Sequence, residues 1–283
     1  CELPMFEVLP LPADATAMTA SALSADGLVV VGNVTLPTHT SGFRWTRETG
    51  VVLLDTLAAD DRSSAAQVDA NGDVVVGGSS LSPAPFEAVA WSAGVKAPHA
   101  LITNAWKTLT ATHVNADGTV IAGTGTLAND SYSAFRWTKA TGPVAVGVTS
   151  ATDLASITAI SADGSTIVGN SGTSNAFVWT KAAGSKKLPP LQGDTGAVVQ
   201  GMSADGTTMI GDSVSAVPSS KRVRWVGGAA PVLLDPLDAG TAWGCGGGPF
   251  QTGTTVYADG SVIYTQRANV PVRDTAAGLE TYV

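Results

Sequence analysis

Charged side chains are scarce in this sequence. Lys, Arg, Asp and Glu make up 13% of its 283 residues, whereas apolar residues make up 44%. Helices on protein surfaces are rich in Glu and Lys, so this composition argues against a helical protein. The apolar residues fall in short runs between Gly, Ala, Ser and Thr, which is typical of many short strands joined by turns.

Positive charge is scarcer than negative charge. There are 15 Lys and Arg against 23 Asp and Glu, which gives a net charge of −8. Proteins that bind the phosphate backbone normally carry a basic stripe, and here Lys186 with Lys187 and Lys221 with Arg222 are isolated pairs. We therefore expect no nucleic-acid partner. The sequence also lacks a run of about 18 apolar residues, so no membrane-spanning helix is expected.

Cysteine occurs twice, as Cys1 and Cys245. The first interpretation is a mature bacterial lipoprotein that is cut before Cys1 and carries lipid on it. The second is a disulfide between the two residues in an oxidising compartment, and the third is that the start of the chain has no meaning. The first two imply export. We expect a protein that is lipid-anchored at the outer membrane, cell surface or periplasm and touches the membrane only through a lipid on Cys1.

An internal repeat indicates the fold. Ser24-Ala25-Asp26-Gly27 precedes an apolar run that ends at Gly32, and related tetrapeptides return about every 46 residues. An Asp-Gly or Asn-Gly pair between apolar runs predicts a type I′ hairpin turn. The six turns are centred on Gly27, Gly72, Gly118, Gly164, Gly206 and Gly260.

A second landmark keeps the same period. It is an aromatic strand such as Phe43-Arg44-Trp45, in which the two ring residues share one face and the Arg lies on the other. Because these Trp residues recur in phase with the turns, we expect them in the core. They are Trp45, Trp91, Trp137, Trp179 and Trp225.

Apolar residues also flank every turn. One stands just before each turn tetrapeptide and another follows the turn Gly in the next strand, and both are predicted to face the core. The twelve residues are Leu23, Val30, Val68, Val75, Val114, Ile121, Ile160, Ile167, Met202, Met209, Val256 and Ile263.

Each repeat therefore contains a strand, a turn, a strand, a loop, an aromatic strand, a Gly turn and a last strand. Four antiparallel strands in about 46 residues have the size of a propeller blade. We predict an all-β fold, a six-unit β-propeller of four-stranded antiparallel blades that forms a single domain over residues 1–283. Residues 1–12 are interpreted as an N-terminal anchor and a candidate ring-closing strand, and residues 240–253 as an insert on one face.

The repeat resembles that of the bacterial HAF-repeat proteins, a family of extracellular repeat proteins. Their repeats carry a Ser-Ala-Asp-Gly turn, a Val-Val-Gly strand and a Phe-Arg-Trp-Thr strand, and the resemblance covers residues 17–234 strongly and 256–283 weakly. Val89-Ala90-Trp91 and Asp274 depart from the pattern. The resemblance implies export and a β-propeller-like fold, and it brings no catalytic residues.

Candidate chemistry is sparse in this sequence. Each turn offers one carboxylate, whereas Ca²⁺ needs six to eight oxygens, so the turn acids are interpreted as turn residues. No His spacing suits a metal, and no nucleophile elbow, P-loop or dinucleotide fingerprint occurs. We predict no catalytic residue, no metal site and no cofactor. Acids that would suit a glycosidase lie in loops at the ends of repeats, and they are Glu48, Asp55, Asp60, Asp61, Asp235 and Asp238.

The sequence thus predicts a non-catalytic binding or scaffold module of the bacterial envelope, a lipoprotein subunit of a surface or periplasmic assembly. Its partner would be another envelope protein or a glycan. Trp106 and Trp243 fall outside the repeat period, in loop regions, and are predicted to contact that partner. The alternatives are an enzyme that acts on extracellular polysaccharide through loop carboxylates at the propeller mouth, and a structural piece of a longer surface protein.

Overall fold

The computed structural model describes residues 8–95, 97–147, 153–215 and 220–234, together with the backbone of four strands after residue 253. The chain divides into two compact units. The first unit comprises residues 1–121 and 138–143, and the second comprises residues 122–137 and 144–283. Each is described by itself.

Every regular element in the described residues is a β-strand. In chain order the strands are β1 (Ala17–Leu23), β2 (Val29–Thr35), β3 (Thr40–Thr46), β4 (Gly50–Leu53), β5 (Arg62–Val68), β6 (Val74–Ser80), β7 (Glu87–Ser92), β8 (His99–Ala100), β9 (Trp106–Val114), β10 (Val120–Leu127), β11 (Tyr132–Thr138), β12 (Gly142–Ala145), β13 (Ala155–Ile160), β14 (Thr166–Ser171), β15 (Asn175–Thr180), β16 (Gly184–Lys187), β17 (Gly196–Met202), β18 (Thr208–Val214), β19 (Lys221–Val226), β20 (Val232–Leu233), β21 (Thr254–Val256), β22 (Val262–Arg267), β23 (Val270–Thr275) and β24 (Gly278–Thr281).

Consecutive strands pair with each other in sets of four. The first sheet is β1-β2-β3-β4, the second β5-β6-β7-β8, the third β12-β11-β10-β9 and the sixth β21-β22-β23-β24. The fourth set, β13 to β16, and the fifth, β17 to β20, join into one eight-stranded sheet through a parallel pairing of Asn175 with Ala197. We call these two sets the fourth and fifth sheets. The prediction of an all-β fold built from four-stranded antiparallel sheets is therefore confirmed.

The turn between β1 and β2 differs from the predicted type I′ turn. Gly27 has a φ of +72°, but the φ of Asp26 is not positive, so that prediction is wrong. The N–H of Gly27 instead donates to the carbonyl of Ser24 at 3.0 Å, and the chain leaves this turn through a left-handed Gly. The Asp26 carboxylate accepts the Ser24 hydroxyl at 2.6 Å and the Leu28 N–H at 3.0 Å. Asp stands here because its side chain closes the loop.

The glycine of the Val-Val-Gly strand lies against a bulge in the preceding strand. In the second sheet, the pairing of β5 with β6 is interrupted between Ala65 and Gln67. A Cβ atom on Gly77 would lie 1.9 Å from the carbonyl oxygen of Ser64, so a larger residue cannot fit without moving the backbone. The same close approach recurs at Gly32, Gly169 and Gly211.

The sixth sheet has a register of its own. Thr265 stands where the other repeats carry this glycine. Val256 pairs with Val262, whereas the corresponding Val68 pairs with Val75, which stands one residue further from its turn Gly. A shift of one residue exchanges the two faces of a strand. The sequence departures of the sixth repeat therefore coincide with a changed pairing of its backbone.

The core lies between the faces of consecutive sheets. In the first unit, Val29 and Val31 of β2 pack with Val68 and Trp91 of the second sheet. A similar cluster in the second unit joins the fourth and fifth sheets. These four sheets thus bury apolar side chains against a neighbouring sheet, as the alternating strand pattern requires.

Most of the predicted core positions are buried. Of the twelve, seven are buried, and Ile160 and Met202 are half-buried. Leu23 is 61% exposed, so the prediction is wrong for this residue. Its counterpart Val68 is buried because β5 packs against β1, β2 and β3, whereas no sheet precedes β1 within its unit. The side chains of Val256 and Ile263 lie outside the described residues.

An asparagine joins one sheet to the next at two places. The Asn33 side chain donates to the carbonyl of Ala65 at 3.2 Å and accepts the N–H of Ala65 at 3.0 Å. Asn170 binds Val199 in the same way, with both distances 2.9 Å. We call this two-bond contact the Asn clamp. It requires a donor and an acceptor on one short side chain, which the Asn amide provides.

Neighbouring turns are also hydrogen-bonded to each other. The N–H of Ala25 donates to the carbonyl of Ala70 at 3.0 Å, and the N–H of Ala70 donates to the carbonyl of Ala116 at 3.1 Å. Arg44, on the polar side of its aromatic strand, donates twice to the carbonyl of Gly72, at 3.2 and 3.1 Å. The second unit repeats these contacts, in Ala162 with Ala204 and in Arg136 with Gly164. The repeated Arg therefore fastens the turn of the next repeat.

The N-terminal segment is described only from residue 8. Residues 8–12 form no strand, and a ring-closing strand within residues 1–12 stays a prediction. Leu9 packs against the apolar cluster of the first sheet, which contains Phe43 and Trp45. Residues 1–7 lie outside the described residues.

Candidate partner-binding surface

Several predicted functional residues lie outside the described residues. Lipidation of Cys1, its disulfide with Cys245 and a contact through Trp243 therefore stay predictions. The same holds for the insert at residues 240–253 and for the acids Asp235 and Asp238.

Trp106 begins strand β9 and does not lie in a loop. It is 5% exposed, and its indole N–H donates to the carbonyl of Pro143 at 3.3 Å. The prediction that it contacts a partner from a loop is therefore wrong. Its place in the repeat explains why it is buried, because it precedes its turn Gly by the same distance as Asp60 and Asp194, which also face inward.

Four turn acids serve their own turns. Each carboxylate accepts the backbone N–H two residues further on, at 2.9 to 3.0 Å. Hydroxyl groups of Ser or Thr, and then these N–H groups, lower the pKa of each carboxyl below its ordinary value. This use of the carboxylates supports their interpretation as turn residues. The four are Asp26, Asp117, Asp163 and Asp205.

Asp69 differs from these acids because it holds the first position of its turn, where the other described turns have Ser or Asn. It is 2% exposed. Burial is the largest influence and raises the pKa of its carboxyl, and the charge of Asp73 acts in the same direction. Backbone N–H groups, including that of Asp73 at 2.7 Å, oppose the shift. The second turn therefore contains a carboxylate that the fold accommodates poorly when it is ionised.

We expect Asp69→Asn to raise the free energy of unfolding by about 1 kcal/mol at pH 7. Asn115 occupies the same position in the third turn, where its side-chain carbonyl accepts the N–H of Val120 at 2.8 Å. Because the folded state binds the Asp69 proton more tightly than the unfolded state, ionised Asp69 destabilises the fold above its raised pKa. This penalty disappears below the ordinary Asp pKa of about 3.9.

Urea unfolding of both proteins across a pH series measures this effect. The gain from Asp69→Asn should be largest at neutral pH and should vanish as the pH falls below the ordinary Asp pKa. A gain that does not depend on pH, or a loss at pH 7, would contradict this explanation.

Two Asp–Ser pairs, in which the Ser is buried and the Asp is half-buried, resemble catalytic arrangements. Asp60 accepts the Ser79 hydroxyl, and Asp194 accepts the Ser213 hydroxyl, both at 2.6 Å. Lys221 forms an ion pair with Asp194 at 3.1 Å. Both Ser residues are fully buried, and each Oγ also accepts a backbone N–H, at 2.9 and 2.8 Å. A hydroxyl that is held on both sides and shielded from solvent is a poor nucleophile, so we interpret the pairs as structural.

The loop between β6 and β7, residues 81–86, presents apolar side chains to solvent. We call it the β6–β7 loop. Leu81 is 51% exposed, and Pro83 and Pro85 are exposed. Exposed apolar side chains that are grouped together often mark interaction sites.

Side chains at the start of strand β5 hold this loop in place. Arg62 donates to the carbonyl of Ala84 at 2.9 Å, and its guanidinium lies 5.2 Å from the centre of the Phe86 ring. Asp61 accepts a loop N–H at 2.9 Å. Gly78 leaves room for Phe86, since a Cβ there would lie 2.8 Å from the Cβ of Phe86. A loop held in this way loses little conformational entropy on binding, and Arg and aromatic residues are enriched at interfaces.

Sequence reasoning did not single out this surface. The available signals were Gly78 beside the repeated Gly77, the two prolines Pro83 and Pro85, and the missing Arg in the second aromatic strand. The contacts of Arg62 with the loop join residues that are distant in sequence, so the periodic pattern gives no indication of them.

Within the described ranges, no group of three or more His, Cys, Asp or Glu side chains could hold a metal ion. The same residues contain no helix with the length and apolar character needed to cross a membrane.

No protein-family model matches the chain, and no curated protein sequence matches it. Solved structures do match. The putative TolB from Agrobacterium tumefaciens is 13% identical with a TM-score of 0.52, over 77% of this chain and 80% of that one. The tricorn protease is 11% identical with a TM-score of 0.57, over 96% and 31%. TolB from Acinetobacter baumannii is 12% identical with a TM-score of 0.49, over 75% and 52%.

These likenesses show the fold and nothing of the function. The putative TolB from Agrobacterium tumefaciens and the tricorn protease, each with a TM-score above 0.5, support a β-propeller-like fold. The chain spans about half the length of the TolB from Acinetobacter baumannii and 31% of the tricorn protease. Resemblance to the HAF-repeat family rests on the repeat residues alone, because no family model matches.

Proposed function

We propose that this protein is a non-catalytic binding module of the bacterial envelope, a six-bladed β-propeller that binds its partner through the second blade. The β6–β7 loop carries the proposal, because it is exposed, apolar and held in place by Arg62 and Asp61. The acids of the turns and of the Asp–Ser pairs hold the fold together. These features favour a binding function over a catalytic one.

The partner that this surface fits is a protein. Leu81, Pro83 and Pro85 offer apolar contact area and few hydrogen-bonding groups, whereas a glycan needs many polar contacts. We propose another envelope protein as the partner, with Trp243 as a second contact. A lipid on Cys1 would hold the module at the membrane, and the intact mass of the membrane-extracted protein tests this part of the proposal.

A double variant, Leu81→Ser with Pro85→Ser, tests the proposed binding surface. Both residues are exposed, so the unfolding midpoint should change little. In a gently solubilised envelope fraction, the wild type should elute from a size-exclusion column within a larger complex, and the variant as a free chain. Val144→Ser is the matched control because Val144 is 49% exposed. The proposal fails if the double variant keeps the complex or if the wild type elutes alone.

A further inference from the structure

The fifth sheet contains a cation that is bound to a buried carboxylate. Ser213 of β18 donates to Oδ2 of Asp194 at 2.6 Å. Lys221 of β19 is the cross-strand partner of Ser213, and its Nζ lies 3.1 Å from Oδ1 of Asp194. One carboxylate oxygen of Asp194 thus accepts a hydroxyl hydrogen bond, and the other binds an ammonium group. The desolvated carboxylate is neutralised within its own sheet.

The second sheet contains the same Ser and Asp, but a Glu stands at the position of the Lys. Ser79 of β6 donates to Oδ2 of Asp60 at 2.6 Å. The cross-strand partner of Ser79 is Glu87, at the position that Lys221 holds in the fifth sheet. Paired residues of antiparallel strands point to the same face, so Glu87 lies on the face where Ser79 binds Asp60. Among the described residues, neither Asp60 nor Glu87 forms an ion pair.

A cation supplied from outside would take the place that the ammonium group of Lys221 holds in the fifth sheet. The fifth sheet shows that an ammonium group fits against the Asp of this arrangement. A calcium ion fits less well, since two carboxylates and one hydroxyl fall short of its six to eight oxygen ligands. Glu87 also directly follows the β6–β7 loop, so a bound cation would lie beside the exposed Leu81 and Pro85.

We propose that Asp60 and Glu87 form a receptor for a Lys or Arg side chain of the partner protein. This inference rests on the proposed binding function. The partner presents its cation to Oδ1 of Asp60 and to the Glu87 carboxylate, while apolar side chains beside that cation pack on Leu81 and Pro85. The partner surface is therefore basic at its centre and apolar around it. That pattern complements a loop whose apolar residues border two carboxylates.

A titration with n-butylammonium chloride, a mimic of the Lys side chain, tests the receptor directly. Amide NMR signals of Ser79 and Glu87 should shift in a saturable way, and equal concentrations of NaCl should not reproduce the shifts. Glu87→Lys should abolish the response, because it supplies the internal cation that the fifth sheet already has. A response no larger than that to NaCl overturns the inference, as does a stronger saturable response to CaCl₂.

The partner complex provides a second readout. Glu87→Lys should keep the unfolding midpoint of the wild type or raise it, and it should release the partner in the size-exclusion experiment. Glu48→Lys is the matched control, because it makes the same charge change at an exposed residue of another loop. If Glu87→Lys retains the complex while Leu81→Ser with Pro85→Ser loses it, the receptor is wrong and the binding module stands. If the wild type forms no complex, the binding module itself fails, and the butylammonium titration still decides the receptor.

Discussion

Gly77→Ala is expected to lower the free energy of unfolding by about 3 kcal/mol or more. The added Cβ would lie 1.9 Å from the carbonyl oxygen of Ser64 and 2.9 Å from its carbonyl carbon. Because both are backbone atoms beside the bulge in β5, no change of side-chain rotamer can relieve the clash. The two strands must separate locally. Urea unfolding followed by Trp fluorescence measures the loss, since Trp91 is buried in the same sheet.

Gly27→Ala is the matched control for this change. Gly27 has a φ of +72°, which is unfavourable for Ala, but no atom lies within 4 Å of the added Cβ. Its cost should be about 1 kcal/mol, the cost of a left-handed backbone alone. If Gly77→Ala costs no more than Gly27→Ala, the close approach of two strands is not the reason for the repeated glycine.

Asn170→Asp is expected to cost about 2 kcal/mol or more at pH 7. Asn170 donates to the carbonyl of Val199 and accepts its N–H, both at 2.9 Å. Asp keeps the acceptor but loses the donor, and it places a negative oxygen against the carbonyl of Val199. The Asn clamp between the fourth and fifth sheets would therefore be broken on one side and repulsive on the other.

The pH dependence separates this explanation from simple loss of packing. In the Asn170→Asp variant, a protonated carboxyl group again carries a donor and an acceptor, so the folded state should bind that proton more tightly than the unfolded state does. The cost of Asn170→Asp should then shrink as the pH falls through the raised pKa of the introduced carboxyl. Asn170→Ala serves as the control, because its cost should not change with pH in this way. Equal pH dependence for the two variants would contradict the Asn clamp.

The repeat made much of this fold predictable from sequence. Turns such as Ser24-Ala25-Asp26-Gly27 and strands such as Phe43-Arg44-Trp45 can be recognised in the sequence, because hairpin loops and pleated strands constrain residue type locally. The structure confirms the four-stranded antiparallel sheets that this pattern indicates. The type I′ assignment was wrong because Asp26 is favoured in the turn for its hydrogen bonds, not for its φ.

The candidate surface could not be predicted in the same way. Trp106 falls outside the Trp period, which favours a surface position, yet it occupies an inward position that two other repeats give to Asp60 and Asp194. The β6–β7 loop depends on Arg62, Phe86 and the room left by Gly78, which come together only in the folded sheet. Such contacts between distant positions leave little trace in a periodic pattern.

In-cell photo-cross-linking from position 81 tests the central claim most directly. A photoreactive amino acid would replace Leu81 in one protein and the equally exposed Val144 in another, and the adducts would be compared after irradiation of intact cells. A single protein adduct from position 81 that is absent from position 144 is the predicted result. Equal adducts from both positions, or none from position 81, would contradict a partner-binding role for the β6–β7 loop.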